Sequence, residues 1–232
     1  MALGFAKRAV RGKVLSKAAD ELAMRLADQT EQAIDTVVRL RASAIQAAVE
    51  VERLQNPQLS ERELAEHLVH EKTKLVATTG AISALPGAFP GAGSAVEIGA
   101  AVADAAVLVY NQVAMVLAVA CAYGRDLRDF EARKLDVLLI FGMLAGLAVP
   151  AGKTVEVLGE RVTLGVLPRE TVAKVNRRIG GEVVKRLGRR RAKVILGREI
   201  PFGVGVAIGS GFNYVATRKV GRLAIKYFEM GR

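Results

Sequence analysis

Three stretches of this chain carry no charged residue, and they limit the fold before any motif is considered. Ala105–Gly124 runs for 20 residues between Asp104 and Arg125, Val137–Gly152 for 16, and Ile200–Thr217 for 18. Only the first reaches the roughly 20 residues a helix needs to cross a bilayer. Asn111 and Gln112 interrupt it, Pro150 interrupts the second, and glycines from Gly203 to Gly211 crowd the third. The reading is buried core helices rather than membrane spans. Gly142–Gly146 and Gly205–Gly209 have the GxxxG spacing that lets helix backbones approach closely.

The rest of the chain is patterned for helix as well. Aromatics are 5% of the residues and Trp is absent, so the 51% of hydrophobic residues is mainly Ala, Val and Leu, a mix that favours packed helices over sheet. From Lys13 to Asn56 there is no Gly or Pro. Apolar residues recur at Leu15, Ala19, Leu22 and Leu26, and then at Ile34, Val38, Ile45 and Val49, each series in steps of three, four or a heptad. As one helix this stretch would extend about 65 Å at 1.5 Å per residue, so it folds back or protrudes. Asn56-Pro57 ends it. Ser60 and Glu63 have capping-box spacing and start the next helix, which carries Leu64, Leu68, Leu75 and Val76. An apolar Pro/Gly-rich connection follows, from Leu85 to Gly93. Thr154–Leu167 is read as helix, with a hairpin around Gly159 as the alternative. After Pro168 a basic helix begins, with Val172, Val175, Ile179, Val183 and Leu187 on one stripe. The fold class is all-α, a compact helical bundle. An N-terminal amphipathic arm over 1–57 precedes a helical domain over 58–232.

The charge is unevenly placed. Residues 169–232 hold sixteen Lys and Arg against four Asp and Glu, a net of +12, whereas the whole chain carries +11. Lys7, Arg8, Arg11, Lys13 and Lys17 precede the first acid, Asp20. Such asymmetry points to a polyanionic partner, nucleic acid or an anionic membrane surface. Lys174, Arg177, Arg178, Lys185, Arg186, Arg189, Arg190, Arg191 and Lys193 form the candidate anion-binding face. No aromatic residue lies within 169–199, which weighs against nucleic acid. An apolar stripe beneath a basic face is the pattern of a helix lying at a membrane surface. No apolar run follows the basic start in the manner of a secretory signal.

Chemistry has few anchors. Ala151-Gly152-Lys153-Thr154 resembles the end of a phosphate-binding loop, but Leu147 occupies the earlier glycine position and an apolar run precedes it. His67 and His70 are the only histidines, lie among Glu63, Glu66 and Glu71, and lack any second ligand-bearing helix, so no metal is expected. Cys121 is the single cysteine, which excludes a disulfide framework, and no Gly-x-Ser-x-Gly elbow occurs. No catalytic residue and no cofactor is expected. Asp104, Asn111, Gln112, Tyr123, Asn213 and Tyr214 are the polar residues within or beside apolar runs. They either cross-link buried helices or line a cavity for a polar head group.

Two segments carry a family resemblance. Asp104 followed by Tyr123-Gly124-Arg125-Asp126-Leu127 resembles the central signature of the EcsC family. Ile200-Pro201-Phe202-Gly203, Gly209, Asn213 and Val220–Phe228 resemble that family's glycine-rich end. The resemblance covers residues 70 to 230 and leaves the N-terminal arm outside. Ala118 stands where the family has an acidic residue, so no role carries over there. The resemblance implies a bacterial, mostly helical protein at the inner face of the cell membrane, in a family named for a protein encoded beside an ABC transporter. It implies no catalytic residues. The expected function is non-enzymatic binding of anionic membrane lipids, with a membrane transporter as a further possible partner. A helical carrier of a lipid in an internal cavity and a nucleic-acid binder are the alternatives.

Overall fold

A computed structural model describes residues 2–83, 94–163, 169–196 and 204–231 of the chain. Among the described residues there are seven helices and one three-stranded sheet: α1 (Ala2–Leu40), α2 (Ala42–Gln55), α3 (Glu61–Ser83), α4 (Ser94–Ala122), α5 (Phe130–Ala145), β1 (Ala148–Ala151), β2 (Thr154–Val157), β3 (Glu160–Thr163), α6 (Arg169–Leu196) and α7 (Val204–Met230). The protein is predominantly helical, as the residue mix dictates.

The first charge-free run became the central helix. From Val113 to Ala122 every residue of α4 is buried. Helices α1, α2, α3, α5 and α7 all pack against it. Ala105–Ala122 is long and apolar enough to cross a membrane, but 72% of that window is buried inside the protein. Its chain end is closed by a Schellman cap. Gly124 adopts φ +72°, its N–H donates to Cys121 O, and Arg125 N donates to Ala120 O. Arg53 of α2 donates to Ala122 O at 3.1 Å, covering a further carbonyl of the last turn.

The second run is divided between two structures. Helix α5 occupies its first half and stops at Ala145, and β1 takes up the chain at Ala148. Gly146 (φ +73°) is the left-handed C-cap, with Gly146 N bonding Met143 O and Leu147 N bonding Gly142 O. The Gly142–Gly146 spacing is therefore a helix terminus rather than a helix-packing face. Gly142 alone sits in a close contact, against Ala148, Val183 and Val157. Gly205 and Gly209 lie in α7, but their surroundings fall outside the described residues, as does the connection over 84–93.

The helical reading of Thr154–Leu167 is corrected by the sheet. The strands pair antiparallel in the order β1-β2-β3, with Val155 opposite Val162. Val155, Val157 and Val162 are buried while Glu156, Arg161 and Thr163 are exposed, a period of two. Gly152 (φ +60°) and the pair Leu158 (φ +49°) and Gly159 (φ +78°) supply the turns, the pair having the positive φ values a type I′ turn requires. Gly152 and Lys153 thus form a hairpin turn, not a phosphate loop at a helix N-terminus.

Helix α1 breaks from α2 at Arg41, where no Gly or Pro marks the sequence. Arg41 Nε donates to Tyr110 Oη of α4 at 2.5 Å. Leu22, Leu26, Ile34, Val37 and Val38 give α1 its buried face, packed on α4, α5 and α6. The Lys134–Asp35 ion pair (2.7 Å) and Arg39 over the Phe130 ring (3.7 Å) join α1 to the start of α5. Ser60 and Glu63 form the expected capping box at α3, with Ser60 N to Glu63 Oε2 at 2.8 Å and Glu63 N to Ser60 Oγ at 3.3 Å. Two glycines set helix spacing. A Cβ on Gly188 would collide with Ala23 O and Ala27 of α1, and one on Gly221 would collide with Val69 of α3.

Gly188→Val should lower stability by about 1–3 kcal/mol or more, because a backbone carbonyl stands in the way. Gly181→Ala, where a Cβ would meet nothing within 4 Å, should be neutral or gain about 0.5–1 kcal/mol. Urea denaturation midpoints of the two variants provide the comparison.

Candidate functional site

The two motif segments that resemble the EcsC family are about a hundred residues apart in the chain and meet at one end of the molecule. Tyr123, just past α4, donates its hydroxyl to Glu229 Oε1 at 3.4 Å, and its ring stacks on Phe228 with centroids 6.2 Å apart. Arg125 Nη2 donates to Gly231 O at 3.2 Å. Asp129 caps α5 by accepting from Ala132 N. Nearly two turns into α5, the buried Asp136 carboxylate pairs with Arg133 and accepts a hydrogen bond from Tyr227 Oη at 2.6 Å. Burial pushes the Asp136 carboxyl above the usual carboxylate range, against the pull of Arg133, Tyr227 and Arg125. Burial likewise raises Tyr227 well above the ordinary tyrosine value, and the Asp136 charge raises it further. Tyr123 is pushed up to about 12, first by burial and then by the Glu229 carboxylate.

This junction ties α7 to α4 and α5. Asp136 and Tyr227 are both buried, and no described cavity is lined by either. Cys121 is buried as well, and desolvation raises its thiol above the ordinary value. His67 Nε2 lies 3.3 Å from Glu52 Oε2, and His70 lines a cleft between α3 and α7. Among the described residues no three His, Cys, Asp or Glu side chains are grouped to hold a metal.

Among the described residues, the remaining polar candidates line no common cavity. Asn111 donates to Val107 O of its own helix at 2.9 Å and is partly exposed. Gln112 is buried, and its Oε1 has no hydrogen-bond partner among the described residues. Tyr123 lies about 18 Å from Asn111 along the helix axis, at 1.5 Å per residue. Tyr214 belongs to α7 and lines the α3/α7 cleft. Asp104 and Asn213 lie on α4 and α7, with side chains outside the described residues.

The basic candidates lie on α6. Lys185, Arg186, Arg189 and Arg190 are exposed, while Val172, Val183, Val184 and Leu187 are buried. Helix α6 packs on α1 and α5 with that apolar stripe buried and these four cations exposed. Arg190 has a second role: Nη1 donates to Leu144 O at 2.5 Å, covering a carbonyl at the end of α5. Lys174, Arg177, Arg178, Arg191 and Lys193 lie on α6 with side chains outside the described residues. Helix α6 runs antiparallel to α1. Gly188 lies against Ala23 and Ala27, whereas Asn176 and Gly180 share a cleft with Glu31 and Ile34. The Arg189–Arg191 end of α6 is thereby directed toward the basic start of α1.

Comparison with known proteins is consistent with the motif geometry. The family model described as the EcsC protein family matches residues 4–232, and the chain belongs to this family. The match includes the N-terminal arm, which the motif resemblance had left outside. No curated protein and no solved structure gives a significant match.

Asp136→Ala should destabilise the fold by about 3–5 kcal/mol, because it leaves the Arg133 guanidinium buried without its partner. Chemical denaturation at neutral pH checks this. Tyr123 ionises near its ordinary value of 10 when unfolded and at about 12 when folded. Its contribution to stability is therefore complete below pH 10 and falls as pH rises toward 12. Tyr123→Phe should flatten the loss of melting temperature over that interval, as followed by circular dichroism.

Proposed function

We propose that this EcsC-family chain is a non-enzymatic peripheral protein that binds anionic membrane surfaces through the outer face of α6. The exposed row Lys185, Arg186 and Arg189 on a helix whose apolar stripe is buried carries this reading. The net of +12 over residues 169–232 is a large surplus for 64 residues, and each Lys or Arg near an anionic surface contributes about 1 kcal/mol. The antiparallel α1/α6 pair adds the basic residues Lys7 to Lys17 to the same end of the molecule. Because α4 is mostly buried and α6 spends its apolar face on α1 and α5, attachment is electrostatic rather than by insertion. The location that fits is the inner face of the cell membrane, where anionic lipids face basic proteins.

Flotation with neutral and with anionic vesicles across a salt series tests the proposal. The protein should float only with anionic vesicles and should be released as salt rises. Joint reversal of Lys185, Arg186 and Arg189 to Glu should abolish flotation. Arg190 is left intact because it also holds the end of α5. Salt-resistant binding to both vesicle types, or full binding by the triple variant, would overturn the assignment.

A further inference from the structure

Helices α3 and α7 run antiparallel, with Arg62 beside Glu229 at one end and Val69 against Gly221 in the middle. Between their outer faces lies a cleft of about 630 Å³, within the roughly 300–1,000 Å³ usual for small-ligand sites. Arg218, Arg222 and Lys226 line its α7 wall at successive four-residue steps, so they stand on one face over about 12 Å of helix. Across from them α3 contributes His70 and Thr73, and Tyr214 lies at the α7 end nearest Arg218. Val69 and Ile225, both buried, form an apolar floor.

The acids and cations of the cleft are not balanced. Glu66 and Glu229 are the acidic residues on its lining, and both are engaged by Arg62, at 3.0 and 3.1 Å. Arg218, Arg222 and Lys226 form no ion pair among the described residues. Arg218 stacks at 6.0 Å over the Tyr214 ring, a contact that orients the guanidinium without neutralising it. All three are exposed, and Lys219, outside the cleft lining, adds to the local field. Three like charges held along one wall of a concave space raise the potential there and concentrate anions. The nitrogen donors of two arginines, a lysine and a histidine suit the oxygens of a phosphate group.

We infer that the α3/α7 cleft binds a phosphate-bearing anion through Arg218, Arg222 and Lys226, with His70 opposite. This site is separate from the α6 surface and does not depend on it. The apolar floor at Val69 and Ile225 gives an attached carbon skeleton a place to lie. Both a phospholipid headgroup and a free phosphorylated compound present this chemistry.

Isothermal titration of the full chain with pyrophosphate and with short-chain phosphatidic acid below its micelle concentration tests the site. At least one probe should bind, and Arg218→Gln and Arg222→Gln should each weaken it by about tenfold or more. Both positions are exposed, so the variants should keep the wild-type melting temperature. The Lys185, Arg186, Arg189 triple reversal should leave this affinity within a fewfold of wild type, since those charges lie on α6. Equal binding of both probes identifies free phosphate as sufficient, and binding of the lipid alone identifies a headgroup site. Failure of both probes to bind, or binding unchanged in Arg218→Gln and Arg222→Gln, would overturn the inference whatever the vesicle experiment shows. Loss of binding in the α6 triple variant but not in these two would overturn it as well.

Discussion

The burial of α4 is the constraint on which the architecture depends. Ten consecutive residues from Val113 to Ala122 are buried, so α4 needs apolar neighbours on all sides. No single partner helix can supply that, and α1, α2, α3, α5 and α7 each take a share. The helix end then becomes the place where polarity has to be resolved. The Schellman cap at Gly124, Arg53 on the last carbonyls and Tyr123 bonded to Glu229 are three answers to the same problem. The resemblance motif at Tyr123-Gly124-Arg125 can be read physically in these terms: a cap followed by the residues that fasten α7 beneath it.

A second polar junction lies one element further on. Arg133 and Asp136 are on one helix, three residues apart, and Tyr227 arrives from α7. A buried ion pair adds little to net stability relative to apolar packing, and removal of one partner is severe. Its consequence is selective. Packing α7 in another register would leave Asp136 without Tyr227 and separate Tyr123 from Phe228. The aromatic pairs Tyr123–Phe228 and Tyr227–Phe228 fill the space between the two polar contacts.

Most helices were legible in the sequence because a 3.6-residue apolar period survives wherever one face meets solvent. The capping box at Ser60 and the stop at Asn56-Pro57 were legible for local reasons, being set by their own side chains. What was not legible depended on partners distant in the chain. Residues 137–152 are apolar throughout, so nothing in their polarity separates the end of α5 from β1. Only the left-handed Gly146 does, and the same glycine satisfies the GxxxG spacing. The strands were hidden for a related reason: four-residue strands offer just two inward positions, as at Val155 and Val157. At the break, Arg41 bonds Tyr110, 69 residues away, a contact that local sequence does not show. The α6 cations were visible as a run, whereas Arg218, Arg222 and Lys226 gain meaning only when α3 closes the other side of the cleft. Their four-residue spacing was the available signal.

The placement of charge cannot be explained by folding. Like charges on a compact chain repel one another and oppose compaction. Among the described residues the buried core holds one cation, Arg133, and pairs it with Asp136. A few others serve as local fasteners, such as Arg53, Arg125 and Arg190 at chain ends. Among the described residues, the exposed Arg186 and Arg189 of α6 and Arg218, Arg222 and Lys226 of the α3/α7 cleft do neither. Helix α6 could present Glu or Gln at Lys185, Arg186 and Arg189 and still bury the same valines and Leu187. Gly221 would seat α7 on Val69 whatever stood at Arg218 or Arg222. Cations at positions where the fold has no use for them, on two separate surfaces, are accounted for by a requirement outside the fold. An anion is the partner we propose for both.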